Sequence, residues 1–357
     1  MRIGFALSGF HRHDRGAEIA LLAVADALAR GGDQITVFGA GQSQAGTGYT
    51  FRHVPAIDRE HFERWPVFPP FRNETVWEDA SFATALLASY RPADFDAVIT
   101  CAFPFTHLAL RRPARGPRPL QVFVTQNGDW PASANRSEYR LFACDALVCT
   151  NPDFFEANRA RWPSALIPNG IDPARFGGPD VDRTQFGIPP GRPVVLMVSA
   201  LIETKRVCDG IRAVARQPDA HLVVAGDGPL RGEVEALAAH LLPGRFTRLT
   251  LDADRMPLLY RATDAFLHMS LLESFGNVFV EALASGLPVV GHDTARLRWI
   301  VGEGEPLCDT EDPDALDAAL SDALSRGRGA ADARAERFAW SGIAAEYRRF
   351  ICSIEAL

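Results

Sequence analysis

An α/β chain of two doubly wound halves is the fold this sequence predicts. Three observations carry the expectation. Short apolar runs alternate with segments whose apolar residues recur at helical spacing. The alternation occurs twice, on either side of a stretch rich in proline and glycine. And 357 residues exceed the length at which a single hydrophobic core usually keeps growing. Apolar residues at 47% and charged residues at 23% are ordinary globular proportions, so the chain is expected to fold throughout.

The first half opens with strand Ile3 to Leu7, a polar loop Ser8 to Gly16, and a helix carrying Ala17, Leu21, Val24 and Leu28 that stops at Gly31-Gly32. A strand follows at Ile35 to Phe38. Residues 41 to 75 mix glycine, proline, aromatics and charges without a steady period. Strands return at Ala97 to Cys101, Leu120 to Thr125 and Ala146 to Thr150, each ending in polar or small residues. In open α/β sheets those ends are where ligands bind. Regular patterning lapses over 168–192, which predicts a linker.

The second series runs strand Val194 to Ser199, helix Val207 to Arg216, strand His221 to Ala225, helix Leu230 to Leu241 and strand Phe246 to Leu251. It continues with helix Pro257 to Ala262, strand Ala265 to Met269, helix Asn277 to Ser285 and strand Pro288 to Val290. Ile343, Tyr347, Phe350 and Ile354 then lie at helical spacing in a last segment, Phe338 to Ile354. Strands that alternate with helices in this way pair in parallel and are buried on both faces.

The net charge of −7 argues against a nucleic-acid partner, whose binding needs clustered Lys and Arg. Basic spots are local: His11, Arg12, His13 and Arg15, and a proline-rich group of Arg111, Arg112, Arg115 and Arg118. Met1 leads into the first strand without the leader core of about 7 to 15 apolar residues, and no apolar run reaches about 18 residues. The expected compartment is the cytoplasm, with membrane association not indicated. The six cysteines (Cys101, Cys144, Cys149, Cys208, Cys308, Cys352) form neither zinc-type pairs nor a disulfide framework and read as thiols.

The chemistry concentrates in one segment, Glu273-Ser-Phe-Gly-Asn-Val-Phe-Val-Glu281-Ala-Leu-Ala-Ser-Gly-Leu-Pro-Val-Val290. A strand ends near Ser270, a loop carries Glu273, and a helix begins near Gly276 or Asn277. The N–H groups at that helix start suit an anionic diphosphate, and Glu281 lies one turn in, placed to accept from paired hydroxyls. Two glutamates eight positions apart, with Phe-Gly-Asn between and Pro-Val-Val after, resemble the hallmark of glycosyltransferase family 4. In order along the chain, Pro168-Asn-Gly-Ile-Asp172, Gly226-Asp-Gly-Pro229 and Tyr260-Arg-Ala-Thr-Asp264 resemble further segments of that family.

The resemblance implies the GT-B fold, two Rossmann-like domains facing each other across a cleft. Residues 1–170 would bind the acceptor, 171–337 the nucleotide-sugar donor, and 338–357 would form a helix packing back on the first domain. It implies that Glu273 faces the donor sugar, that Glu281 binds the ribose, and that main-chain groups of Phe275, Gly276 and Asn277 meet sugar and phosphate, with Ser274 among the donor-binding residues. Lys205 matches the family's phosphate-binding lysine. The arginine expected five residues earlier is Ala200 here, a departure from the pattern. Two roles stand for Arg206: replacement of that guanidinium at the diphosphate, or a solvated surface charge.

Gly16 matches the glycine loop that approaches the donor phosphates, with Arg15 where a second glycine is usual; a helix-entry glycine is the other reading. Asn127, Asp129 and Trp130, with His13, are the candidate acceptor contacts, although Asn127-Gly128 also reads as a plain turn beside a buried tryptophan. His11, His13 and Asp14 do not complete a metal-ligand spacing, so neither a metal nor another cofactor is expected. His292-Asp293 is expected to line the cleft.

The implied activity is transfer of a sugar from a UDP- or GDP-sugar to an unidentified hydroxyl acceptor with retention, with Lys205, Arg206 and Glu273 as the catalytic set. Two other functions stand beside it. A non-catalytic nucleotide-sugar binder would share the fold. A nicotinamide-dependent dehydrogenase would need a G-x-G-x-x-G after the first strand, where only Ser8-Gly9 and then Gly16 occur.

Overall fold

The computed structural model describes residues 1–111, 118–128, 130–133, 137–271 and 273–355. The chain divides into two compact units, Met1–Gly170 with Trp340–Leu357, and Ile171–Ala339.

The first unit is built on strands β1 Arg2–Ala6, β2 Gln34–Gly39, β3 Thr50–His53, β4 Ala97–Thr100, β5 Leu120–Val124, β6 Ala146–Cys149 and β7 Ser164–Leu166. Among the described residues they form one sheet in the order β3-β2-β1-β4-β5-β6-β7, every pair parallel. Alternate side chains leave opposite faces of a strand. Ile3, Ile35, Val37, Ala97 and Ile99 accordingly join one buried cluster, and Ala6, Phe38 and Val98 another.

Helix Gly16–Arg30 covers the first face with Leu21, Val24 and Leu28, and helix Trp340–Glu355 joins it with Ile343, Tyr347 and Ile351. Helix Glu74–Ser89 covers the second face with Phe82 and Leu86. Its start is set by Asn73, whose side chain accepts from the Val76 N–H at 3.1 Å. β3 lies within the unpatterned stretch, and the helix begins only at its end, so neither is expected from the sequence. β3 is an edge strand with three of its four residues exposed or nearly so, and such a strand needs no apolar period.

The second unit is built on β8 Val194–Val198, β9 His221–Ala225, β10 Phe246–Leu249, β11 Ala265–His268 and β12 Val289–Gly291, in the order β10-β9-β8-β11-β12, all parallel. Val195, Met197, Leu222, Val224 and Leu267 pack under helices Val207–Ala215, Arg231–Leu241 and Pro313–Arg326. Val194, Leu196, Val223, Phe266 and Val289 pack under Met256–Arg261, Asn277–Ala284 and Ala295–Val301.

The stretch expected as a linker is part of this second core. Ile171, Phe176, Phe186 and Ile188 are buried in it, and Arg183 ties it to Asp264 at 3.1 and 3.2 Å. Its apolar residues are too sparse among prolines and glycines to show a period, yet these four are buried. Phe338, expected in the last helix, closes the same core beside Phe275, and the helix begins at Trp340.

In both sheets the chain reverses its direction of travel across the sheet. In the second, β8 is followed outward by β9 and β10, and the chain then returns to lay β11 on the other side of β8. The loops leaving β8 and β11 therefore diverge at one point on the C-terminal edge of the sheet, the position where open α/β sheets leave a crevice.

The terminal helix is structural to the first unit. Replacing Ile351, fully buried there, with Ala is expected to lower unfolding stability by about 2 to 5 kcal/mol. The measurement is urea unfolding followed by circular dichroism, and an unchanged midpoint would show that the helix is not part of the cooperative core.

Candidate functional site

The loop after β8 carries Lys205 and the loop after β11 carries Glu273, and these two side chains form an ion pair. Each is about one-fifth exposed, at 22% and 20%. Glu273 has a second partner in His268, the last residue of β11, whose Nε2 lies 3.2 Å from Oε1. The Ser270 N–H donates to His268 Nδ1 at 3.3 Å, which leaves Nε2 as the nitrogen carrying the proton toward Glu273. Burial alone would raise the Glu273 carboxyl, but His268 and Lys205 outweigh it and hold the group at about 2. The main-chain carbonyl of Glu273 is held by Arg296.

Three residues further on, Gly276 stands at φ 83° as the N-cap of helix Asn277–Ala284. That left-handed turn aims the helix start at the loop, and a Cβ at Gly276 would lie 2.6 Å from the Phe279 ring, so glycine is required twice over. Phe275 sends its side chain into the core against Phe338 and Trp299, leaving only its main chain toward the loop. Ser274 and Asn277 are half-buried. Glu281, one turn into the helix, accepts a 2.7 Å hydrogen bond from the Tyr260 hydroxyl, and burial raises its carboxyl above the ordinary value while Tyr260 opposes the rise.

In the structure Arg206 is engaged within the protein. It occupies a left-handed conformation at φ 51°, and its guanidinium is distributed over protein acceptors: Asp209 at 2.9 Å, the Met269 carbonyl at 3.3 Å, and the hydroxyl and carbonyl of Thr310, each at 3.2 Å. Four of its five N–H donors are engaged, so the bidentate fork expected for a diphosphate is not presented, and neither is a solvated charge. Arg206 instead ties the loop that carries Lys205 to the end of β11. Thr310 is also held by His292, whose Nδ1 lies 3.2 Å from its hydroxyl; Asp293 pairs with Arg298.

The remaining candidates belong to the first unit. Gly16 is the first residue of helix Gly16–Arg30, and a Cβ there would meet nothing within 4 Å, so the fold itself does not require glycine. His13, in the loop after β1, is half-buried with no partner for Nε2 among the described residues; desolvation, then Arg15, holds its pKa below the ordinary value. Asn127 is exposed after β5, with Nδ2 3.9 Å from Cys101 Sγ. Its neighbour Gln126 exchanges amide hydrogen bonds with Asn169 at 2.5 and 3.0 Å. Asp129 and the side chain of Trp130 lie outside the described residues. Thus Lys205, Glu273 and Gly276 come together in the second unit with Glu281 one turn along the helix that Gly276 caps, while Gly16, His13 and Asn127 stand at strand ends of the first.

His268 and Arg296 are not legible in the sequence, because a histidine ending an apolar strand and an arginine within a helix carry no signal of their own. Tyr260 lies inside the segment Tyr260-Arg-Ala-Thr-Asp264, which by itself gives it no part. Among the described residues no three His, Cys, Asp or Glu side chains gather as a metal-ligand group, and no helix is long and apolar enough to cross a membrane.

Known proteins place this geometry in context. The family model described as "Glycosyl transferases group 1" matches residues 180–339, and that described as "Glycosyltransferase Family 4" matches 15–175. The lipopolysaccharide core biosynthesis glycosyltransferase LpsE of Rhizobium meliloti is 32% identical over 186 residues, 51% of this chain and 53% of that protein. The chain spans about half the length of the curated relatives it matches. Among solved structures, sucrose-phosphate synthase of Thermosynechococcus elongatus superposes with a TM-score of 0.77 over 99% of both chains at 21% identity. HepE of Anabaena, solved in complex with UDP and glucose, does so with a TM-score of 0.72 over 98% of this chain and 99% of that one at 20% identity. Both structures share the fold.

The Lys205–Glu273 pair has a consequence for acid stability. A carboxyl moved from 4.5 to about 2 contributes stability that is present above the higher value and lost as pH falls through the lower one. Lys205→Met should therefore flatten the decline in Tm between about pH 4.5 and about pH 2 relative to the unaltered protein. Parallel Tm curves for the two proteins over that window would show that Lys205 does not hold the carboxyl down.

Proposed function

The chain belongs to glycosyltransferase family 4, whose fold is GT-B, and from that premise we propose that it transfers a sugar from a UDP- or GDP-sugar to an acceptor hydroxyl, with retention at the anomeric carbon and without a metal. One observation carries the reading: Lys205 and Glu273 meet where the loops after β8 and β11 diverge, beside the N-terminus of a helix whose cap is a left-handed glycine. A cation, a helix N-terminus and a carboxylate side by side suit a diphosphate joined to a hydroxyl-rich ring. HepE, of the same fold, is solved with UDP and glucose, which supports a nucleotide-sugar donor.

In this reading the diphosphate takes Lys205 and the N–H groups at Asn277, Glu273 turns to the sugar hydroxyls, and Glu281 accepts from the ribose. The bond from the anomeric carbon to the diphosphate oxygen breaks, its electron pair leaving with the nucleoside diphosphate. A bond from the acceptor oxygen forms on the same face, and the acceptor proton passes to a phosphate oxygen of the leaving group. No protein base is required, so the protein's part is charge stabilisation and orientation. Donor handling falls to the second unit and acceptor handling to the first, where His13 and Asn127 are the described candidates. No disulfide links the six cysteines, which fits a reducing compartment, and the cytoplasm is the proposed one.

Incubation of the protein with a panel of UDP- and GDP-sugars should release nucleoside diphosphate from one donor. Lys205→Ala is expected to lower kcat by more than it raises the dissociation constant of that donor, because charge on the diphosphate grows as the bond breaks. Tight donor binding with no turnover for any acceptor mixture would instead favour a non-catalytic sugar-nucleotide binder. Turnover should also survive EDTA; loss that magnesium or manganese restores would refute the metal-free mechanism.

A further inference from the structure

Tyr260 is fully buried at the end of helix Met256–Arg261, yet it carries a hydroxyl. Its ring is wedged edge-on against Phe176 at 5.6 Å and tilted against Phe266 at 5.9 Å, so the direction of the C–O bond is set by packing. That hydroxyl donates to Glu281 Oε2 at 2.7 Å. The other carboxylate oxygen, Oε1, has no hydrogen-bond partner among the described residues. The carboxylate is thus gripped from behind on one oxygen and presented on the other.

We propose that Tyr260 is a positioning residue that sets selectivity for the ribose hydroxyls, by fixing the Glu281 carboxylate so that its remaining acceptor positions meet the paired hydroxyls of a ribose. The inference rests on the reading of Glu281 as the ribose-binding residue. A glutamate has three side-chain torsions, and one that must find its orientation with each ligand loses affinity in ordering; a buried phenol that holds it beforehand removes that loss. The phenol is suited to the task. Desolvation first, then Glu281, lifts its pKa well above the ordinary value, so it remains a neutral donor beside the carboxylate. Among the described residues the cation that acts on Glu281 is Arg175, which is itself bonded to Asp254 at 2.9 Å and cannot stand in for the directional bond. Tyr260 never touches the reacting atoms.

The test compares ligands that differ only at the ribose. Binding of UDP and of 2′,3′-dideoxy-UDP, and of the corresponding GDP pair, is measured by calorimetry on the full chain as wild type, Tyr260→Phe and Glu281→Gln. The wild type should prefer the ribose form of its nucleotide, and Glu281→Gln should abolish the preference. Tyr260→Phe should reduce the preference by about five- to tenfold, the range one hydrogen bond accounts for. The dideoxy affinity should stay within about twofold, and donor KM should rise while kcat changes little. Equal weakening of ribose and dideoxy forms in Tyr260→Phe would mean a packing role and overturn the inference. An unchanged preference in Tyr260→Phe, with the expected loss in Glu281→Gln, would overturn it while leaving Glu281 as the ribose residue. A wild type indifferent to the ribose hydroxyls would overturn the assignment of Glu281 and the inference with it.

Discussion

Parallel pairing of β8 with β11, Ala265 on Val195 and Phe266 on Leu196, is the constraint on which the candidate site depends. Neighbouring parallel strands end on the same edge, and here the chain travels outward from β8 through β9 and β10 before it returns to lay β11. The loops after β8 and β11 must then leave in different directions from adjacent points. Lys205 and Glu273 lie 68 positions apart, and the strand order alone brings them together. Antiparallel pairing would have put their loops on opposite edges.

The site is held ready by groups that are not themselves offered to a ligand. His268 orients Glu273 from the strand end, Arg296 fastens the main chain of the same residue, and Arg206 binds the lysine loop to Met269 and Thr310. A non-glycine residue in the left-handed region is uncommon and carries strain. Arg206 keeps that conformation with four hydrogen bonds that tie down the loop carrying Lys205. Lys205 and the helix N-terminus lie beside a glutamate already ionised at about 2. Such preorganised charge needs little rearrangement when a diphosphate leaves.

The first unit follows the same logic with different contents. Its sheet also reverses beside the first strand, between β1 and β4, and the loop after β1 carries His13 before Gly16 starts a helix. Gly16 has open space where a side chain would be, although its backbone does not demand glycine. At Gly276, by contrast, both the backbone angle and the Phe279 ring exclude any other residue. One glycine is explained by its own fold; the other is consistent with a close approach from outside it.

By itself the sequence determined the fold class and singled out Glu273, Gly276 and Glu281. Buried parallel strands need apolar side chains on both faces, so β1, β4, β5, β6, β8 and β9 stand out as short Val, Ile, Leu and Ala runs. Glu273, Gly276 and Glu281 lie within nine consecutive residues, where local spacing already shows a loop entering a helix. Tertiary structure alone decided the rest. The edge strand β3 and the core residues of 168–192 have no period, because burial there comes from scattered contacts. His268, Tyr260 and Arg296 gain their parts only from neighbours distant in sequence, and the partners of Arg206 lie up to 104 positions away. A guanidinium looks the same in sequence whether it faces a phosphate or a carbonyl, and which one it meets is set by how the strands are ordered in space.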